Sequence, residues 1–244
     1  MRNIKLILEY DGSGFFGFQR QKDKPTIQAA LEGALSKLFN RPMKIGAAAG
    51  RTDAGVHARA QVVHFKTDSP ILLEKIQRGL NALLPREIAV KSTEEVPADF
   101  HARYGARWKT YEYEVFNSKV RSPLLNGRVY QFPYPLDFGK MKKAAKALVG
   151  RHDFKSFQAA GSSVRDSIRT IRRLAIERDG KRVRFSIEAD GFLYHMVRHI
   201  VGTLLEVGRG SLSLKNFLRL FKERRRFPSS VPPQGLTLAS VKYQ

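Results

Sequence analysis

The order of hydrophobic and polar residues predicts alternating strands and helices in the first half of the chain. Apolar side chains lie two apart over residues 4–10, as on one face of a strand. Further along, apolar residues recur at helical spacing after Thr26, a good N-cap, and after Ser69 and Pro70, a pair typical of a helix start. The predicted order is β-α-β-β-α-β, the split βαβ unit, with strands at residues 4–10, 43–49, 61–67 and 88–95.

The second half of the chain repeats this order of elements without repeating the sequence. A helix is predicted between an Asp137 cap and a C-terminal Gly150, and Asp179-Gly180 indicates a type I′ hairpin. The other predicted elements are strands near 107–116, 167–178, 182–190 and 236–243 and helices near 194–207 and 214–225. The chain is therefore interpreted as two α+β halves, residues 1–104 and 105–244.

Charge narrows the class of partner more than the other features of composition do. Lys and Arg total 44 against 22 Asp and Glu, a net charge of +22, which attracts polyanions. Nucleic acid is the first candidate partner, an anionic membrane the second and other acidic partners the third. The chain has no cysteine, so disulfides and thiolate metal sites are excluded. Apolar runs are too short for a signal peptide or a membrane span, so a soluble cytoplasmic protein is expected.

The segment most suggestive of chemistry is Gly50–Ala58, with the sequence GRTDAGVHA. Glycines flank a turn that carries Asp53 two residues after Arg51, and a carboxylate held on a tight turn suits nucleophilic or acid–base work. Taken alone, the same sequence is explained by an Asx turn, in which Asp53 bonds to its own backbone. The interpretation therefore depends on other segments.

Two other segments offer partners for such a carboxylate. Tyr111 and Tyr113 share one face of a strand beside basic residues, which suits stacking on a nucleic-acid base, although core aromatics have the same pattern. Arg198 lies beside the apolar stripe of a helix, where a buried charge needs a partner such as Asp53 unless it reaches solvent. An arginine beside Asp53 would keep its carboxylate ionised, as a nucleophile requires.

Three weaker patterns are interpreted as structural or electrostatic. His195 and His199 lie four apart, but the residue after the first histidine is not the Glu of a metalloprotease helix, so no metal site is expected. Gly12–Gly17 matches G-x-G-x-x-G, but no helix begins inside it, which favours a compact loop packed by its own side chains over a dinucleotide site. Basic residues expected either to bind phosphate or to form a solvated surface are Arg165, Arg169, Arg172, Arg173, Arg219 and the run from Lys222 to Arg226.

Together these segments resemble the tRNA pseudouridine synthase A family. Gly50–Ala58 is similar to the nucleophile loop of that family, and this match is highly specific. Tyr10–Gln19, Lys109–Tyr113 and Phe192–Arg198 agree with the family in order and spacing, and Pro232–Leu236 resembles its closing motif. The resemblance covers nearly the whole chain. One departure is Phe18, where a Trp is usual.

The resemblance implies a fold, a reaction and a set of site residues. The fold would be two ferredoxin-like halves forming a continuous central antiparallel sheet with a basic cleft, in a homodimer without metal or organic cofactor. The substrates would be uridines 38 to 40 in the anticodon stem-loop of tRNA. Asp53 would be the nucleophile, Tyr111 would contact the uracil and accept a proton, Arg198 would pair with Asp53, Arg51 would hold the flipped-out nucleotide or its phosphate, and Leu236 would pack against the base.

The reaction that the resemblance implies agrees with the residue types. Pseudouridine contains the same atoms as uridine, so neither redox chemistry nor ATP is needed. A single carboxylate attacks C6 of the base or assists at C1′, and the sequence leaves both routes open. A non-catalytic RNA-binding module and a metal-dependent nuclease using Asp53 are the alternatives, because charge and aromatics fit the first and a carboxylate fits the second.

Overall fold

The chain folds into two compact units, seen in a computed structural model that describes residues 1–159, 161, 166–227 and 229–243. Unit 1 comprises Met1–Arg107 with Thr237–Gln244, and unit 2 comprises Trp108–Leu236. None of the helices in these described ranges is both long and apolar enough to cross a membrane. In chain order the elements are β1 (Arg2–Tyr10), α1 (Ile27–Phe39), β2 (Ala47–Ala48), β3 (His57–Thr67), α2 (Leu73–Leu83), β4 (Ile88–Val96), β5 (Trp108–Phe116), β6 (Tyr130–Gln131), α3 (Phe138–Lys146), β7 (Gly150–Asp153), β8 (Ile168–Asp179), β9 (Arg182–Ala189), α4 (Met196–Gly208), α5 (Leu214–Lys222) and β10 (Leu236–Lys242).

Unit 1 is built on strands in the order β4-β1-β3-β10, with the short β2 paired to β3. The alternation predicted for β1 is confirmed, since the alternating apolar side chains from Ile4 to Tyr10 are all buried. Helices α1 and α2 approach closely at Gly79, where a Cβ would lie only 2.6 Å from Leu38 Cδ1. Each large apolar side chain buried in this core contributes about 1.5–3 kcal/mol. The buried members of the helices include Ile27, Leu31, Leu35, Ile76 and Leu80.

The expectation of an antiparallel sheet is wrong where β10 meets β3. Thr237 and Leu238 pair with His57 and Ala58 in parallel register. A tight turn forces neighbouring strands to reverse direction, but β10 comes from the far end of the chain and no short turn sets its direction. The pair between β5 and β6 is parallel as well.

The helix starts of unit 1 follow local hydrogen bonds. The Thr26 cap is confirmed, because its hydroxyl accepts the Ala29 N–H at 3.3 Å. The predicted start at Ser69 and Pro70 is wrong, since α2 begins at Leu73. Ser69 Oγ accepts the Ile71 N–H at 3.3 Å, and Arg2 donates to the carbonyls of Ser69 and Ile71 at 3.0 and 2.8 Å. These bonds hold the segment in a turn before the helix.

Unit 2 contains the antiparallel strand order β5-β9-β8-β7. The β8–β9 hairpin is confirmed, but Gly180 is its one loop residue with positive φ, at 56°. A type I′ turn requires positive φ at two residues, so that prediction is wrong. Asp137 caps α3 as predicted, with Oδ1 accepting the Lys140 N–H at 2.9 Å. Gly150 does not end this helix, because i→i+3 bonds close the chain after Lys146 and Gly150 begins β7.

Candidate functional site

Asp53 begins a reverse turn that ends at Val56. The Val56 N–H donates to the Asp53 carbonyl at 3.1 Å, and Gly55 has φ of 76° at the third position, as a type II turn requires. Thr52, directly before the turn, is only 5% exposed, whereas Asp53 is partly exposed and Arg51 is exposed. The loop therefore leaves Asp53 partly exposed directly beside a buried residue.

Side chains beneath the turn form a buried frame. The Tyr10 hydroxyl lies 2.7 Å from Thr52 Oγ1, and both groups are buried. Gln61 donates from Nε2 to the Gly50 carbonyl at 2.8 Å and to the Tyr10 hydroxyl at 3.4 Å. Burial raises the pKa of Tyr10 to about 12, so its hydroxyl stays protonated near neutral pH. Sequence reasoning missed this frame, although a tyrosine closing a buried strand is a signal that its hydroxyl needs a partner.

The loop with the pattern G-x-G-x-x-G packs its backbone against the Asp53 turn. A Cβ on Gly12 would lie 2.0 Å from the Val56 carbonyl oxygen. Gly17 has φ of 87°, and a Cβ there would lie 2.8 Å from the Thr52 carbonyl oxygen. The Phe18 N–H donates to that same oxygen at 2.9 Å. The glycines therefore permit close approach of two loops, a contact that the expectation of a compact loop packed by its own side chains did not include.

In unit 2 the two tyrosines of β5 have different surroundings. Tyr111 is 7% exposed and packs edge-on against Phe192, with ring centroids 4.9 Å apart at 82°. Tyr113 is fully buried, and its hydroxyl donates to the Pro232 carbonyl at 2.8 Å. Burial raises the pKa of Tyr113 well above its usual range. Tyr113 is therefore a core residue with a bonded hydroxyl.

The segment from Pro232 to Leu236 is held tightly against β5. A Cβ on Gly235 would lie 2.8 Å from the Glu114 carbonyl oxygen and 2.8 Å from Tyr113 Cζ. No side chain larger than hydrogen fits at this position without movement of the strand or the segment. Leu236 follows directly and is 5% exposed. The placement of Leu236 therefore depends on the contacts of Tyr113.

Arg198 lies on α4 and bonds to two neutral acceptors. Its Nε donates to the Val231 carbonyl at 2.7 Å, and its Nη1 donates to His195 Nε2 at 3.1 Å. Burial, together with the smaller effects of Arg198 and His199, lowers the pKa of His195 to about 4, so the ring is neutral near pH 7. Pairing of Arg198 with Asp53 stays a prediction.

His195, directly before α4, and His199, on α4, hydrogen-bond to different groups. His199 Nδ1 lies 3.1 Å from the Ser229 carbonyl, whereas His195 bonds to Arg198. A Cβ on Gly202 would lie 3.0 Å from Ser229 C, so α4 lies directly against this segment. Among the described residues, no three His, Asp or Glu side chains group together as ligands of a metal ion would.

Several residues expected to bind phosphate have other partners. Arg224 Nε lies 3.2 Å from Asp153 Oδ2, and Arg172 Nη1 lies 3.1 Å from Glu188 Oε1. These carboxylates offset part of the positive charge. Arg165 lies outside the described residues.

The predicted site residues are divided between the units. Unit 1 carries Arg51 and Asp53 on one loop, and unit 2 carries Tyr111, Arg198 and Leu236. Within unit 2, Arg198 bonds to Val231 and Tyr113 bonds to Pro232, so α4 and β5 both hold the segment that leads to Leu236.

A partly exposed Asp53 on a tight turn, in a strongly basic α+β chain, favours an enzyme that acts on nucleic acid as the class of this protein. More particularly, the chain belongs to the tRNA pseudouridine synthase family, because the sequence model of that family matches residues 6–105 and 144–244. The activity of this family is the isomerisation of uridine to pseudouridine in tRNA. This agrees with the resemblance of the Gly50–Ala58 segment and favours the isomerase over the RNA-binding module and the nuclease.

Curated relatives match along their entire length. The chain is 44% identical to tRNA pseudouridine synthase A of Acetivibrio thermocellus and 44% identical to tRNA pseudouridine synthase A 2 of Clostridium perfringens. It is 40% identical to tRNA pseudouridine synthase A of Listeria innocua. In all three comparisons the alignment covers 100% of this chain and 100% of the relative.

Proposed function

We propose that this chain isomerises uridines at positions 38 to 40 of the tRNA anticodon stem-loop, with Asp53 as the catalytic carboxylate. The observation that carries the proposal is the Asp53 turn itself. Asp53 is partly exposed, while Thr52 beside it is buried and bonded to Tyr10 at 2.7 Å. A group fixed in this way loses little freedom when substrate binds, which favours reaction at one site.

The proposed reaction rearranges uridine without a net co-reactant. The C1′–N1 bond breaks, the base turns, and a C1′–C5 bond forms. The hydrogen on C5 leaves to solvent, and N1 takes up a proton. Attack of the carboxylate on C6 and its action at C1′ are both compatible with this balance. Both routes require an ionised carboxylate, which Arg198 would favour by pairing with Asp53.

The remaining predicted residues would hold the substrate. Tyr111, fixed by its edge-on contact with Phe192, would contact the uracil and accept a proton. Arg51, exposed on the Asp53 loop, would hold the flipped-out nucleotide or its phosphate. Leu236 would pack against the base. Flipping a uridine out of a stem costs a few kcal/mol, and phosphate contacts of a chain with net charge +22 would offset that cost.

The test compares Asp53→Asn with wild type and with the matched variant Asp99→Asn, whose carboxyl group is exposed on unit 1. Release of tritium from C5-labelled uridine in tRNA measures turnover, and filter binding measures tRNA affinity. We expect Asp53→Asn to lose at least about a thousandfold in kcat while its Kd changes less than about twofold. Asp99→Asn should match wild type. Normal turnover by Asp53→Asn would exclude the catalytic role.

The same samples test the rest of the proposal. Substrates with uridine only at position 38, 39 or 40 identify the positions modified. RNA that is cut in magnesium, with activity lost to chelator, would support a nuclease, and binding without product would support an RNA-binding module. Sedimentation of the purified protein tests the homodimer that the family resemblance implies, and fractionation of cells tests the expected cytoplasmic location.

A further inference from the structure

His195 has a backbone conformation that residues with a side chain rarely adopt. Its φ of 58° and ψ of 11° lie in the left-handed region, directly before α4. For a residue other than glycine this conformation costs about 1–2 kcal/mol. Its side chain makes no capping hydrogen bond to the helix. Capping of α4 by the side chain therefore does not explain this conformation.

The left-handed conformation brings the imidazole ring to Arg198. The ring lies against that of Tyr194, with centroids 3.9 Å apart, and its Nε2 accepts a hydrogen bond from Arg198 Nη1 at 3.1 Å. Arg198 also donates from Nε to the Val231 carbonyl at 2.7 Å. Because the guanidinium is planar and rigid, bonds to two of its nitrogens fix both its plane and its position.

We propose that His195 is a positioning residue for the isomerisation: by accepting from Nη1 it fixes the Arg198 guanidinium in the orientation that the reaction uses. The inference rests on the proposed function, which gives Arg198 its role beside Asp53. A neutral imidazole suits this role, since Arg198 can only donate and an imidazolium would have no acceptor for it. Val231, reached through the second bond, lies on the segment that leads to Leu236.

Substitutions at His195 can separate the side chain from the backbone. His195→Gly and His195→Asn tolerate the left-handed conformation but place no acceptor where Nε2 lies, whereas His195→Gln can supply an acceptor on a longer side chain. The matched control is His152→Gln, because His152 also makes a hydrogen bond through Nε2, but as the donor to the Val149 carbonyl at 3.0 Å. We expect His195→Gly and His195→Asn to lower kcat by about 10- to 100-fold, with KM and tRNA Kd within about twofold. His195→Gln should recover part of the loss, and His152→Gln should retain wild-type kcat.

A double-mutant cycle distinguishes positioning from a purely structural role. If His195 acts through Arg198, then His195→Gly should cause no further loss of kcat in an Arg198→Gln background. Losses that multiply in the double variant would overturn the proposal. A wild-type kcat in both His195→Gly and His195→Asn would overturn it as well.

An NMR measurement tests the contact between His195 and Arg198 without measuring turnover. In protein labelled with ¹⁵N-arginine, the Nε–H signal of Arg198 is assigned by its loss in Arg198→Gln. We expect that signal to shift or broaden in His195→Gly and to keep its position in His152→Gln. An unchanged signal in His195→Gly would contradict the positioning role.

The outcomes for His195 and Asp53 are distinguishable. If Asp53→Asn is active while His195 and Arg198 are coupled, the role of Asp53 fails and the positioning of Arg198 stands. If Asp53→Asn is inactive while the losses at His195 and Arg198 multiply, the positioning fails and the proposed function stands.

Discussion

The hydroxyl of Tyr10 and Oγ1 of Thr52 lie 2.7 Å apart in the interior of unit 1. Tyr10 ends the strand β1, and Thr52 precedes the proposed catalytic Asp53. The hydrogen bond therefore joins the core of the unit to the candidate site. Displacement of the loop would break this buried bond, and a buried polar group left without a hydrogen bond costs about 1–3 kcal/mol.

We expect Tyr10→Phe to weaken both the fold and the reaction. Removal of the hydroxyl leaves Thr52 Oγ1 without that bond, so the free energy of unfolding should fall by about 1–2 kcal/mol. The Asp53 turn should then be less well fixed, and kcat should fall severalfold while tRNA affinity is kept. Urea denaturation and tritium release measure the two effects.

The matched variant is Tyr243→Phe. The Tyr243 hydroxyl donates to the Ala102 carbonyl at 2.7 Å, in the same unit. Its removal should lower stability comparably without lowering kcat at saturating tRNA. An equal loss of kcat in both variants would mean that the effect of Tyr10→Phe is general destabilisation.

Gly12→Ala tests the close packing of the two loops. A Cβ at Gly12 would lie 2.0 Å from the Val56 carbonyl oxygen, whereas a Cβ at Gly14 would have no atom within 4 Å. We expect Gly12→Ala to lower the free energy of unfolding by about 1–3 kcal/mol, as overpacking does, and to reduce kcat because the Asp53 turn is displaced.

Gly14→Ala is the control for that substitution, since it adds the same methyl group to the same loop. It should be close to wild type in both denaturation and turnover. Equal behaviour of the two variants would show that the approach of Gly12 to Val56 does not position the turn.

Local signals in the sequence predicted much of the fold. The alternation in β1, the Thr26 cap of α1 and the Asp137 cap of α3 depend on residues close together in the chain, and all are confirmed. The turn type at Gly180 and the helix end at Gly150 were wrong although their signals are local. The start of α2 was wrong because a distant residue decides the outcome. Arg2 donates to the Ser69 carbonyl across 67 positions and helps hold the segment before α2 as a turn.

The candidate site follows the same rule. The sequence of the Asp53 turn indicates its geometry because glycine at the third position is a local requirement. The difference between Tyr111 and Tyr113 could not be predicted, since the Tyr113 hydroxyl bonds to Pro232, 119 positions away. The partners of Arg198 could not be predicted either, because one of them is the backbone carbonyl of Val231, and any residue can supply such a group.

Acid should destabilise the protein in the pH range where histidines titrate. Burial is the largest cause that lowers the pKa values of His64, His195 and His199, with His195 at about 4. The unfolded chain, with histidine pKa near about 6.5, therefore takes up protons first. The free energy of unfolding should keep its full histidine contribution above about pH 6.5 and should decline as the pH falls towards 4.

Urea denaturation midpoints at pH 7.5, 6 and 5 measure this effect. Asp68, Asp137 and Asp153 also have lowered pKa values, but their contribution is lost only below the unfolded value of 3.8. The histidines and the aspartates therefore affect stability in different pH ranges. His195→Gln should show a smaller decline than wild type, and a wild-type midpoint that stays constant from pH 7.5 to 5 would contradict the prediction.

Binding of tRNA should depend most on exposed basic residues of α5. Arg219 and Lys222 are exposed on this helix, whereas Arg225 Nε lies 3.2 Å from Glu223 Oε2. A cation that already has a carboxylate beside it contributes less free energy when it binds a phosphate. We therefore expect the double variant Arg219→Gln/Lys222→Gln to lower the slope of log Kd against log salt concentration by about 0.7–0.9 for each phosphate that the protein no longer binds. The kcat of the double variant at saturating tRNA should be unchanged. The control Arg225→Gln should change the slope less than the double variant does. A slope equal to that of wild type in the double variant would exclude α5 from the RNA-binding surface.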